Sequence, residues 1–264
     1  ALRAEALQAR AVRWPRAVSI AGAALLAAGA MGGAYGLLGH WDRSAQGARE
    51  TPVAATQRYE TVVGEIRTIR LADGSDMTLN TDSEVALPAW KGERRVRLLR
   101  GEGFFRVAKD AAHPFIVESG GGSVRAVGTA FSVRTDLAGF RVALAEGKVS
   151  VSTSVRHDAA LLVAGQRLAV KDGAISRSDG GVAQATSWLA GEVTFRDETL
   201  GDAIAEMNRY SSRKIVLDDA RAKGRKLSGV FKTGDIDTFV QALTAYGMAR
   251  VQSEDAGEIR LSGD

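Results

Sequence analysis

The chain has 264 residues, 45% of them hydrophobic and none of them cysteine, which excludes a disulfide-stapled scaffold and any thiolate metal site. Its formal charge of +4 is concentrated at the start, where Arg3, Arg10, Arg13 and Arg16 face only Glu5, leaving 31 basic against 30 acidic residues elsewhere. That near-neutral remainder speaks against nucleic-acid binding, which needs a positive field on a folded face.

Residues 17–39 form 23 consecutive positions without a formal charge. As a helix they would span about 35 Å, enough to cross a bilayer. Trp14 and Trp41 bracket the run and Arg16 and Arg43 limit it, as expected at the two headgroup layers. The arginine-rich flank predicts a cytoplasmic N-terminus, so residues 1–16 read as the end of a cytoplasmic tail, 17–39 as a single transmembrane helix and 40–57 as a linker on the far side. A cleaved signal peptide and a buried soluble helix are the competing readings of the same run. Gly29 with Gly33, and Gly32 with Gly36, are small-xxx-small pairs that would permit close helix packing, and helix propensity there is weak.

After the linker the hydrophobic period changes to two. Ile66, Ile69, Leu71, Met77 and Leu79 alternate around an Asp73-Gly74 turn, and the pattern continues through RRVRLLR, GFFRV, PFIVES, TAFSVRT, RVALAEG and KVSVSTS. Runs this short, ending at glycine or charge, predict a mainly β domain over 58–184, built as an antiparallel sandwich or a β-helix-like roll. The polar stretch SRSDGG at 176–181 reads as the connection to a second unit.

Residues 185–264 predict a small α+β domain. GEVTF, KIVLDD, KLSGVF, MARVQS and EIRLS are strand-like. Thr199 to Asp202 forms a helix-start signal, followed by Leu200, Ala203, Ile204, Met207 and Tyr210 on one face. A second helix opens near Asp235 with Ile236, Phe239, Val240 and Leu243 as its apolar side.

Candidate chemistry is sparse. His40, His113 and His157 are too scattered in sequence to define a metal site, and no HExxH, GxSxG or phosphate-binding glycine loop is present. We therefore expect no metal, no cofactor and no conventional enzyme. Arg94, Arg95, Arg97 and Arg100 read as an exposed strand face, open to an acidic partner or an envelope polyanion. The dipeptide Gly128-Thr129 has one distinctive capability: the threonine hydroxyl could attack the preceding carbonyl, converting the amide to an ester that water hydrolyses, given a distorted peptide and a base.

Taken in order, YETVVGEIR at 59–67, LADGSDMTLN at 71–80, LRGEGFFRV at 99–107, Pro114-Phe115, VGTAFSV at 127–133, EGKVSV at 146–151 and WLAGEVTF at 188–195 resemble the FecR family of inner-membrane anti-sigma regulators. Ala72 departs from the proline that the family often has before Asp-Gly-Ser, which changes turn rigidity. The resemblance implies a periplasmic β domain and a terminal domain docking with the signalling domain of an outer-membrane TonB-dependent receptor, probed here by strands 191–196 and 226–231 with Phe195 and Phe231 as apolar anchors. It further implies an extracytoplasmic-function sigma factor bound through a cytoplasmic region of which only residues 1–16 are at hand, and stepwise release by envelope proteases at the inner membrane. Self-cleavage in some members assigns Thr129 as nucleophile and Gly128 as acyl donor. The expectation is a signal transducer relaying receptor occupancy, in iron or siderophore uptake, to that sigma factor. A structural or polysaccharide-binding envelope protein on the same scaffold is the alternative.

Overall fold

The computed structural model describes residues 56–263 except 137–138, 154–158 and 173. The expected membrane run, with Gly29, Gly32, Gly33 and Gly36, lies outside the described residues, as do His40 and His157. Among the described residues no helix is long and apolar enough to cross a membrane.

The strands are β1 (Gln57–Glu60), β2 (Arg67–Arg70), β3 (Asp76–Leu79), β4 (Glu84–Leu87), β5 (Arg94–Arg100), β6 (Glu102–Arg106), β7 (Phe115–Ser119), β8 (Gly122–Ala126), β9 (Ala130–Asp136), β10 (Gly139–Glu146), β11 (Lys148–Thr153), β12 (Ala160–Val163), β13 (Gln166–Lys171) and β14 (Ala174–Asp179). They form two seven-stranded sheets, ordered β1-β4-β5-β7-β8-β11-β12 and β14-β13-β10-β9-β6-β3-β2. Pairing is antiparallel throughout except between β5 and β7, which run parallel. Of the two architectures the alternation allowed, this is the sandwich.

Alternation explains how the sheets meet. Val85, Val96, Phe115, Val117 and Val149 from the first sheet pack against Met77, Phe105, Phe131, Phe140 and Leu168 from the second in one buried cluster. Phe105 lies 5.8 Å from Phe115 across the gap and 5.5 Å from Phe131 beside it. Each of these side chains is essentially removed from water, which contributes roughly 1.5–3 kcal/mol apiece before entropy is counted.

Two features depart from the sequence reading. Residues 176–179 are not a connection: they belong to β14, which pairs with β13 from Gln166↔Asp179 to Lys171↔Ala174. An edge strand needs only one partner and little apolar content, so its polar composition imitates a loop. Arg94 is the second departure. It shares the inward face with Val96 and Leu98 and is buried, with its guanidinium held by Asp73 (2.5 Å) and by the carbonyls of Ala108 (3.2 Å) and His113 (2.6 Å). Asp73 would rise on burial, yet bonds from Ser75 and the Arg94 charge hold its carboxyl below the ordinary value. Arg95 and Arg97 do face solvent, where Glu93 and Glu118 already pair with them; exposed pairs of this kind contribute little stability.

The chain continues through helix α1 (Val182–Ala185), a 3-10 turn (Ser187–Ala190), β15 (Glu192–Thr199), α2 (Leu200–Asn208), β16 (Lys214–Leu217), α3 (Ala220–Lys223), β17 (Lys226–Lys232), α4 (Ile236–Ala245), β18 (Arg250–Glu254) and β19 (Glu258–Ser262). The expected caps are present: Thr199 Oγ1 accepts from the Asp202 amide at 3.1 Å, and Asp235 accepts from the Thr238 amide at 3.1 Å. α2 buries Leu200, Ala203, Ile204 and Met207, and α4 buries Ile236, Phe239, Val240 and Leu243. A mostly β region is thus followed by a small α+β region. The second core also takes in Phe104 and Ala130, which point outward from β6 and β9, so the α+β region is seated on the outer face of the second sheet.

Candidate functional site

The seat is polar at its centre. Glu102 opens β6, is 4% exposed, and points toward the α+β region. One carboxylate oxygen accepts from Ser132 Oγ at 3.0 Å and Trp188 Nε1 at 3.1 Å. The other accepts from Asn80 Nδ2 and Arg209 Nη2, both at 3.0 Å. Four donors occupy the lone-pair directions of the carboxylate, which is what a buried charge requires.

The partners are cross-linked in turn. Asn80 Nδ2 also donates to the Tyr210 hydroxyl at 2.9 Å, and Thr81 Oγ1 donates to the Arg209 carbonyl at 3.1 Å. Arg209 Nη1 and Arg134 Nη1 each reach Glu206 at 2.6 Å. Burial alone would raise the Glu206 carboxyl, but the charges of Arg209 and Arg134 overrule it and hold it below the ordinary value. Burial also drives the Tyr210 phenol well above its ordinary value, so it serves as a neutral hydrogen-bonding group. The network ties β3, β6 and β9 of the sandwich to the 3-10 turn and α2. Nothing in the local sequence signals it beyond an acid between two glycines in GEG.

Gly128 and Thr129 lie between β8 and β9. Gly128 has φ 135°, and a Cβ there would lie 2.5 Å from Lys109 Cγ, so the backbone sits where only glycine fits. Thr129 is 6% exposed; its carbonyl accepts from the Val107 amide at 2.8 Å, while its hydroxyl is buried with no partner among the described residues. A buried nucleophile left unbonded beside a glycine of unusual backbone geometry is the kind of exception that calls for a reason. β9 starts at this junction; along it Ala130 and Arg134 meet the α+β region, and Ser132 bonds to Glu102.

Phe195 and Phe231 belong to a ring cluster with Phe239, at centroid distances of 4.9–6.0 Å. Phe195 is 4% exposed and Phe231 half-buried, while the neighbouring Val230 is 57% exposed. His113 is exposed and bonded to Asp110 at 2.9 Å. Among the described residues no group of three or more His, Cys, Asp or Glu side chains is arranged to hold a metal.

Residues 57–150 match the family model described as FecR protein. No curated protein matches the chain. Two crystal structures from Parabacteroides distasonis, each described as that of a candidate anti-sigma factor, are similar in fold with a TM-score of 0.70 and 23% identity. One similarity covers 80% of this chain and all of the other, and the second covers 79% and 99%.

Proposed function

From a chain that is homologous to the FecR family through residues 57–150, we propose an anti-sigma-type signal transducer anchored in the inner membrane by residues 17–39. Its β region, 58–184, and its terminal α+β region, 185–264, would lie in the periplasm. The terminal region receives the signalling domain of an outer-membrane TonB-dependent receptor, of the iron or siderophore class. The message reaches an extracytoplasmic-function sigma factor through the cytoplasmic side and is completed by envelope proteases, ending near Gly29, Gly32, Gly33 and Gly36.

The observation that carries this reading is the fold likeness, which runs beyond the matched family segment to include the α+β region and spans the full length of a described candidate anti-sigma factor. The polar seat around Glu102 supports it physically. Interfaces built on buried, hydrogen-bonded charge add little net stability compared with apolar ones, so a partner that binds the α+β region has a modest energy to overcome in shifting it. Docking by strand addition would use the outer edges of β15 and β17, which pair only with each other. With Phe195 in the core, Phe231 and Val230 are the apolar contacts on offer there.

Titrating the purified chain with the receptor's N-terminal signalling domain tests the docking step. Saturable binding, weakened by Val230→Asp, is expected. Absence of saturation with both proteins folded contradicts it.

The orphaned Thr129 hydroxyl favours a further step on the same reading, self-cleavage between Gly128 and Thr129. The hydroxyl oxygen gives up its proton as it attacks the Gly128 carbonyl carbon, the carbon–nitrogen bond breaks as the Thr129 nitrogen takes up that proton, and water then opens the ester to a Gly128 carboxylate and the Thr129 hydroxyl.

A further inference from the structure

A cavity of about 600 Å³ lies between the outer face of the second sheet and the elements from α1 to α2, a size suited to a small ligand. Its floor follows from register. Ser132, Ala143, Arg167 and Ser178 are directly opposed across β9, β10, β13 and β14, as are Arg134, Arg141, Ala169 and Ser176 in the next row. Three arginines therefore rise from a floor of otherwise small side chains.

Two of the arginines are engaged within the protein, Arg134 by Glu206 at 2.6 Å and Arg141 by a contact of its own. Arg167 differs. Its Nε is buried without a hydrogen-bond partner among the described residues. Its guanidinium lies against Gly181, at φ 68°, where a Cβ would fall 2.6 Å from Arg167 Cζ and 2.9 Å from Nε. Glycine at 181 thus makes room for a planar, partly buried cation whose Nε–H lacks an acceptor among the described residues. A guanidinium of this kind in a cavity lining is matched by a carboxylate, whose two oxygens fit the guanidinium edge.

The opposite wall carries Glu198 and Asp202. Each has one oxygen already occupied, by Gln184 Nε2 at 3.5 Å and Thr199 Oγ1 at 2.5 Å, which leaves acceptor capacity on both side chains. Such a wall repels a second negative charge and attracts hydroxyl donors. We propose that this cavity binds a hydroxylated carboxylate of the sugar-acid class, with its carboxylate on Arg167 and its hydroxyls donating to Glu198 and Asp202.

Calorimetric titration of the whole chain with D-glucuronate, and with D-glucose as the uncharged counterpart, tests this. Wild type should bind glucuronate saturably and glucose roughly tenfold or more weakly, and Arg167→Met should weaken glucuronate by a similar factor. Should Arg167→Met fail to fold, Ser178→Asp decides: it places a carboxylate directly across from Arg167 and is expected to block glucuronate while leaving the fold intact. No saturable heat with glucuronate at millimolar concentration overturns the proposal, as does undiminished affinity in a folded variant at either position.

Discussion

Replacing Glu102 with leucine is expected to destabilise the protein by about 3–5 kcal/mol, the cost of removing one member of a buried charged cluster. The carboxylate is the shared acceptor for Ser132, Trp188, Asn80 and Arg209, and its loss leaves four buried or part-buried donors without their common acceptor. Glutamine, which keeps one acceptor oxygen, should cost about 1–3 kcal/mol. Urea unfolding followed by circular dichroism and by tryptophan fluorescence measures both, with Trp188 reporting on the network alongside Trp14, Trp41 and Trp90. We also expect the two signals to coincide in wild type and to separate in Glu102→Leu, as the α+β region loses its anchor on the sheet. A leucine variant within about 1 kcal/mol of wild type would show that the network is not what seats the region. The same cluster gives a pH signature. Because the folded-state value of Glu206 is depressed, its contribution is fully present above the ordinary value of 4.5 and is lost as pH falls through the lower folded value. Glu206→Gln should remove that acid-side loss from the urea midpoints.

Changing Thr129 to alanine should abolish self-cleavage altogether, because no other atom at the junction can supply the attacking oxygen. In wild type, intact-mass measurement after folding should find two fragments that meet between Gly128 and Thr129, with a summed mass one water above that of the unbroken chain. Thr129→Ser retains a hydroxyl at the same position and should still cleave. Gly128→Ala should not cleave, since its Cβ would strike Lys109 and its φ of 135° would be strained. A single unbroken mass in wild type rules the step out.

The elements were legible where the physics is local. Alternation at Met77, Leu79, Val96 and Leu98 identified half-buried strands, and Thr199 with Asp202, or Asp235 with Thr238, identified helix starts from neighbouring residues alone. At Arg94 charge argues for the surface, whereas the period-two register puts it with Val96 and Leu98, beneath carbonyls that a sequence window does not bring together. β14 imitates a connection for the reverse reason: an edge strand with one polar face carries almost no apolar signal. The Glu102 network was invisible because its donors lie 22, 30, 86 and 107 positions away. No periodicity links positions so far apart: sheet pairing brings Asn80 and Ser132 to Glu102, and the seating of the α+β region brings Trp188 and Arg209. The dipeptide's chemistry and the family resemblance point to Gly128 and Thr129, while the glycine-only backbone and the orphaned hydroxyl emerge only in the fold.

The proposed relay runs from receptor contact on the α+β region to a sigma factor across the membrane. It is tested most directly in cells by measuring transcription from the sigma factor's target promoter with and without the receptor's ligand, in the presence of the intact chain, in its absence, and with Val230→Asp. Ligand is expected to change transcription only when the intact chain is present, and the Val230→Asp chain to blunt the response. Ligand-dependent transcription that is the same with and without the chain would contradict it.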